Sequence, residues 1–305
     1  MTLNTYVNCL IENVDENNLP KELDLVLDSG AFNGVYMMGS LFYLKEMERR
    51  EKIKINRVSG ASIGSVLGLL FLLDKLDLTI DIAIKGYKIL RKSQDLTKFK
   101  NKLNELMVNN VKEEDLDKLN GRLYITYFDT SKNKQILKKT YKSCEDVKNT
   151  ILKSMHVPYL FDRNITDNEG CIDGAFPYIF KQKKRENKKI LFVNLQSFDK
   201  FINMIYIKKE KNIFSRVFNG ILDIHNFFLE NKPTKMCSYV NEWGIKEILF
   251  FRLREIIYTI IVYILSIGLQ IEKYFPESWK KEKIIIKFIS IFKNIWRDIL
   301  IYLTI

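Results

Sequence analysis

Histidine is the scarcest of the chemically versatile residues: the 305-residue chain holds two, His156 and His225. Little catalytic machinery can be built on imidazole from so few. Cysteine is also sparse, and Cys9, Cys144, Cys171 and Cys237 never form a C-x-x-C pair. That scatter argues against a disulfide framework or a zinc site and points to reduced thiols in an intracellular, cytoplasmic chain. No basic stretch followed by an apolar core opens the sequence, so no signal peptide is expected. Thr2 stands where myristoylation requires glycine. A full G-x-G-x-x-G and a P-loop lysine are both missing, which counts against nucleotide binding. No carboxylate cluster has calcium-loop spacing, so metal-independent chemistry is expected. Internal repeats and long low-complexity linkers are absent as well.

What is present is a large core and a positive charge. The chain is 47% hydrophobic and 28% charged, with a net charge of +12. Its length suffices for one large domain, or one domain with an appendage. A basic excess suits nucleic acid or an anionic membrane surface. Nucleic acid is disfavoured because the aromatics cluster with aliphatics in apolar helices and do not interleave with Lys and Arg as stacking platforms would.

One stretch organises the rest: Gly60-Ala61-Ser62-Ile63-Gly64. A short strand-like run, Lys54 to Val58, precedes it, and the apolar run Val66 to Leu73 reads as a buried helix. Gly-x-Ser-x-Gly between strand and helix is the nucleophile-elbow pattern. Both glycines are needed because a side chain at either would strike a neighbouring strand or helix. The helix that follows aims its N-terminus at the serine, where it favours negative charge. A bare match also arises from small-residue turns, so two further segments matter.

The first is Ser29-Gly30-Ala31-Phe32-Asn33-Gly34, between a strand at Leu23 to Leu27 and a helix from Val35 to about Arg50. Amides in such a loop can cradle an anion, although a plain strand-to-helix turn has the same look. The second is Cys171-Ile172-Asp173-Gly174-Ala175, led in by Ser154 to Phe161. Asp173 closes a short apolar strand and could enter a site, or could cap backbone amides as turn aspartates do. Strand, loop, helix, strand, elbow, helix is a β-α-β-α opening with a parallel sheet. Both loops then lie at the carboxyl ends of their strands, where open α/β sheets build sites. Gly121 to Tyr141 reads as a hairpin and Ile190 to Leu195 as another core strand.

Taken together, the Gly-rich loop, Gly60-Ala61-Ser62-Ile63-Gly64 and Asp173-Gly174-Ala175, in that order, resemble the patatin-like phospholipase family over roughly Leu23 to Phe180. The resemblance implies a three-layer α/β/α fold with a mostly parallel sheet. It implies a serine ester hydrolase without cofactor or metal, acting on phospholipid or lysophospholipid. Ser62 would be the nucleophile and Asp173 its base, as a dyad with no histidine between them. Amides of Ser29 to Gly34 would hold the oxyanion. The loop departs from the family's G-G-G-x-[KR]-G: Ser29 and Ala31 replace glycines, and Asn33 replaces the basic residue. Ser and Ala still supply N–H groups, but Ala31 fits only if its backbone angles are ordinary. A catalytically weak or inactive membrane-binding protein with this fold is the alternative those departures favour. Both histidines are expected to be structural.

The expected organisation is a leader at 1–22, a catalytic domain at 23–200 and a basic, helical region at 201–305. Lys181, Lys183, Lys184, Arg185, Lys188 and Lys189 form a basic run suited to anionic headgroups. Ile256 to Ile271 is uncharged but shorter than the roughly 20 residues that a spanning helix needs. Ile284 to Leu303 reads as a basic amphipathic helix, as interfacial helices do. Peripheral association with an anionic membrane surface is expected; the oligomeric state is not legible.

Overall fold

A computed structural model describes residues 3–93, 96–158, 164–181, 188–196 and 213–274, with isolated positions between 287 and 298. The elements are α1 (Leu3–Ile11), β1 (Glu22–Leu27), α2 (Gly34–Arg49), β2 (Lys54–Ala61), α3 (Ile63–Leu72), α4 (Asp77–Ser93), α5 (Leu96–Asn110), α6 (Leu116–Leu119), β3 (Leu123–Asp129), β4 (Lys134–Lys138), α7 (Cys144–Ser154), β5 (Cys171–Asp173), β6 (Lys189–Val193), α8 (Phe214–Glu230), β7 (Cys237–Tyr239) and α9 (Ile245–Tyr274).

The sheet runs β4-β3-β2-β1-β6-β7, with β5 added against β3. β1 is parallel to both β2 and β6, and β2 to β3; the other pairings are antiparallel. β1 is central and apolar because both of its faces are covered. Leu23, Leu25 and Leu27 enter the main core with residues of α1, α2, α3, α7 and α8. Val26 points the other way, to Phe176, Phe180, Phe192 and Phe251 beneath the start of α9. This gives the mostly parallel α/β architecture expected from the sequence.

Three further features bear on the expected organisation. The leader at 1–22 holds helix α1, whose Val7 and Ile11 are buried in the main core with Leu3, Tyr6 and Leu10 packed against it, a helical stripe interrupted by Asn4 and Asn8. Beyond the stretch around residue 200, which lies outside the described residues, β7 extends the sheet and α8 packs along α2. Gly39 and Gly220 allow that packing: a Cβ on Gly39 would lie 2.0 Å from the Val217 carbonyl oxygen, and one on Gly220 1.9 Å from that of Tyr36. The uncharged run Ile256 to Ile271 is part of the 30-residue helix α9. Among the described residues no helix is long and apolar enough to cross a membrane. Much of the basic run at 181–189, and most of 284–303, lie outside the described residues.

Candidate active site

Register brings the serine and the aspartate together. Ala61, the last residue of β2, pairs with Thr126 of β3, and the next residue of β3, Tyr127, pairs with Asp173. β4 occupies the other edge of β3 over the same residues. β5 therefore continues on the edge that β2 leaves, and Ser62 turns off into α3 beside Asp173.

The turn at Ser62 is strained, with φ 51° and ψ −125°. Such a conformation costs about 1–3 kcal/mol and persists only where the surroundings enforce it. Here a Cβ on Gly60 would lie 2.4 Å from the Gly64 carbonyl oxygen, and one on Gly64 2.6 Å from that of Leu27. The two glycines thus let strand, helix and β1 close on the serine. Its N–H donates to Ser154 Oγ at 2.9 Å, and its carbonyl accepts from Ser65 Oγ at 2.6 Å. The helix that starts here is uncharged, with Gly64 to Leu72 buried.

Asp173 is buried, and burial pushes its carboxyl up from 3.8 to about 6. Two hydrogen bonds oppose the shift without cancelling it: one with the Ser62 side chain, and one from the Ala175 N–H at 2.7 Å. No imidazole is among these partners. His156 reaches this region through its backbone, its carbonyl accepting the Asp173 N–H at 2.8 Å. His225 lies between α8 and α2, with Nδ1 3.1 Å from the Tyr43 hydroxyl.

The Ser29–Gly34 loop is divided in its use of amides. Ser29 N–H donates to Asp28 Oδ1 at 3.0 Å, Asn33 N–H to the Gly30 carbonyl at 2.8 Å, and Gly34 N–H back into the turn. Among the described residues no acceptor takes the N–H groups of Gly30, Ala31 or Phe32. Of the six loop residues, these three can offer amides to an anion. Ser29 contributes its side chain instead: the hydroxyl donates to the Ala175 carbonyl at 2.5 Å, tying this loop to the aspartate loop. Ala31 has φ 44°, so its backbone is not ordinary and the loop carries strain where the family pattern has glycine. Ala175 has φ 49°.

A pocket of about 90 Å³ opens at Ser62. Phe32, Val35, Ile82, Ala83, Tyr87 and Met155 contribute its nearly wholly apolar wall. Phe32, from the loop, meets Tyr87 of α4 edge to face with ring centroids 5.4 Å apart. The pocket therefore joins the serine to the α4–α5 helices.

Three residues unforeseen from the sequence complete the surroundings. Arg254 of α9 places Nη2 3.0 Å from both oxygens of the fully buried Asp28. Burial pushes Asp28 up, against Arg254 and the Leu195 and Ser29 amides, which draw it down. Tyr258 of α9 donates its hydroxyl to the Asp173 carbonyl. Arg216 of α8, also buried, donates to the Phe32 carbonyl and to Asn33 Oδ1, both at 3.2 Å. The only sequence signal was a 3–4 residue spacing of Phe251, Arg254, Tyr258 and Val262, which puts them on one helical face.

A mostly parallel sheet with a serine elbow at its carboxyl edge, beside an apolar pocket, belongs to the α/β class in which lipid acyl hydrolases are found. The model of the Patatin-like phospholipase family matches residues 25–179, just over half of the 305. The chain belongs to that family, whose members are lipid acyl hydrolases. No curated protein matches the chain.

Proposed function

We propose that the protein is a serine ester hydrolase that releases fatty acid from membrane phospholipid or lysophospholipid through Ser62 and Asp173. The observation that carries this reading is the hydrogen bond between Ser62, on its strained turn, and a buried Asp173 whose pKa lies near 6. A carboxylate with an ordinary pKa is a weak base at neutral pH; one raised to about 6 is better matched to taking a serine proton.

In the first half-reaction Ser62 Oγ attacks the ester carbonyl and its proton passes to Asp173. The oxyanion falls to the amides of Gly30, Ala31 and Phe32, where each well-placed donor is worth roughly 10²–10³ in rate. The proton then returns to the leaving alcohol as the acyl-enzyme forms. In the second half-reaction Asp173 takes a proton from water as the water attacks the acyl carbonyl, and it passes that proton to Ser62 Oγ as the fatty acid leaves. The acyl chain occupies the apolar pocket that begins at Ser62. Work at an anionic lipid surface is supported by the outer face of α9, where Leu253, Ile256, Ile257, Ile260, Ile261 and Ile264 are exposed, and by the net charge of +12.

The test is fatty-acid release from mixed anionic vesicles by wild type, Ser62→Ala and Asp173→Asn. Release by wild type alone, with vesicle binding kept by all three, supports the reading. Binding by all three with release by none leaves a non-catalytic membrane protein.

A further inference from the structure

The 29–34 loop holds an unfavourable backbone at Ala31, φ 44°, and must nevertheless present three amides in one geometry if it is to stabilise charge. Strain of this kind relaxes unless neighbouring groups over-determine the conformation. On its β1 side the loop is fixed by Asp28 and by the Ser29 hydroxyl. On its other side the fixing group comes from a distant part of the chain.

We propose that Arg216 is the positioning residue of this loop, supplying from α8 the cation that the loop itself lacks at Asn33. This rests on the hydrolase reading of the site. The guanidinium donates to the Phe32 carbonyl and to Asn33 Oδ1, both at 3.2 Å. Asn33 Nδ2 donates to the Leu195 carbonyl at 2.9 Å, and Asn33 N–H to the Gly30 carbonyl at 2.8 Å. The peptide planes around Asn33 are thereby held from both ends. A flip at Phe32 would break a charge-assisted hydrogen bond, which is about twice as strong as a neutral one. It would also break the bond from the Asn33 N–H to the Gly30 carbonyl, because that N–H lies in the same peptide plane, and the Gly30 carbonyl in turn shares its plane with the Ala31 N–H. What remains unengaged among the described residues is the run of amides at Gly30, Ala31 and Phe32.

The placement of Arg216 is built into the fold. It lies in the first turn of α8 and is buried, with its guanidinium carbon 5.3 Å from the Tyr36 ring centroid. α8 reaches this position because Gly39 and Gly220 let its backbone pack directly on α2, the helix that the loop leads into. Arg216 lies beyond the family segment at 25–179. Both bonds leave the same nitrogen, Nη1; lysine keeps the charge but lacks the planar guanidinium that lies over the Tyr36 ring.

The test compares wild type, Arg216→Lys and Arg216→Met on a water-soluble short-chain ester, with hydrogen exchange of residues 28–35 measured in parallel. Arg216→Met is expected to lower kcat by about 10- to 100-fold, less than the loss of a direct donor, with KM changed by less than about threefold. Exchange across 28–35 should quicken, and Arg216→Lys should recover part of both. A folded Arg216→Met enzyme with wild-type kcat, or with unchanged exchange at 28–35, overturns the proposal. So does a fall in thermal stability with neither effect, which marks packing alone. If the wild type itself hydrolyses no ester, the hydrolase reading fails and the exchange result still decides whether Arg216 holds the loop.

Discussion

Replacing Asp173 with asparagine should abolish activity and stabilise the protein, and the stabilisation should depend on pH. Burial raises the folded pKa of Asp173 from 3.8 to about 6. An acid whose folded pKa exceeds its unfolded value binds its proton more tightly in the fold. Its contribution to stability is full below about pH 4 and is lost as pH rises through about 6. At about 1.4 kcal/mol per unit, keeping the carboxylate charged at pH 8 costs the fold about 3 kcal/mol. Asparagine retains an oxygen for the Ala175 N–H and carries no charge, so it escapes that cost. Asp173→Asn should therefore melt higher than wild type at pH 8, on the order of 5 °C, with the gap closing near pH 4. Taking the difference between the two proteins removes the titration of Asp28, whose buried carboxyl is also raised. In the wild type, hydrolysis of a soluble ester should follow the ionised fraction, reaching about one-tenth of its plateau at pH 5 and about nine-tenths at pH 7. A variant no more stable than wild type at pH 8, or an activity midpoint near 4, would refute the argument that burial sets the basicity of Asp173.

Two further outcomes follow from the loop and the pocket. Ala31→Gly removes a Cβ from a residue at φ 44° and should raise stability by about 1 kcal/mol, read as a higher denaturation midpoint; a lower one would mean that the methyl packs favourably enough to outweigh the strain. Ala83→Phe fills the apolar pocket of about 90 Å³ and should shift selectivity towards short acyl chains by 10-fold or more, roughly the discrimination that pocket size commands. Equal losses on acetyl and long-chain esters would place the acyl chain elsewhere.

How much could be read from the sequence depended on range. Gly60, Ser62 and Gly64 announce a local turn, and the collisions that forbid side chains there involve strand, helix and neighbouring β1 as the motif requires. Asp173 was visible as a carboxylate ending a short apolar strand, but the register that sets it beside Ser62 lies in β3 and could not be read off. Within the 29–34 loop the residue types were legible and the use of each amide was not; Ser29 gives its N–H to Asp28, a contact that no spacing encodes. Arg216, Arg254 and Tyr258 were hidden for a different reason. Each acts across more than 80 residues of chain, and buried arginines look in a sequence like the many basic residues that solvate a surface. The helix α1, by contrast, carries a legible signal that the Asn-rich leader masks: Leu3, Tyr6, Val7, Leu10 and Ile11 recur at helical spacing and pack in or against the main core.

Arg254 also separates two units that a family assignment tends to merge. The segment recognised as patatin-like stops at residue 179, yet the carboxylate at the end of its first strand is neutralised by a guanidinium 226 positions later. A fragment cut at the edge of the recognised segment would lose both Arg254 and β6, the strand that pairs along β1 and whose following residue Leu195 bonds Asp28, leaving the central strand with an open edge. The segment that marks descent is thus shorter than the packed unit, which takes in β6, β7 and the Arg254 turn of α9.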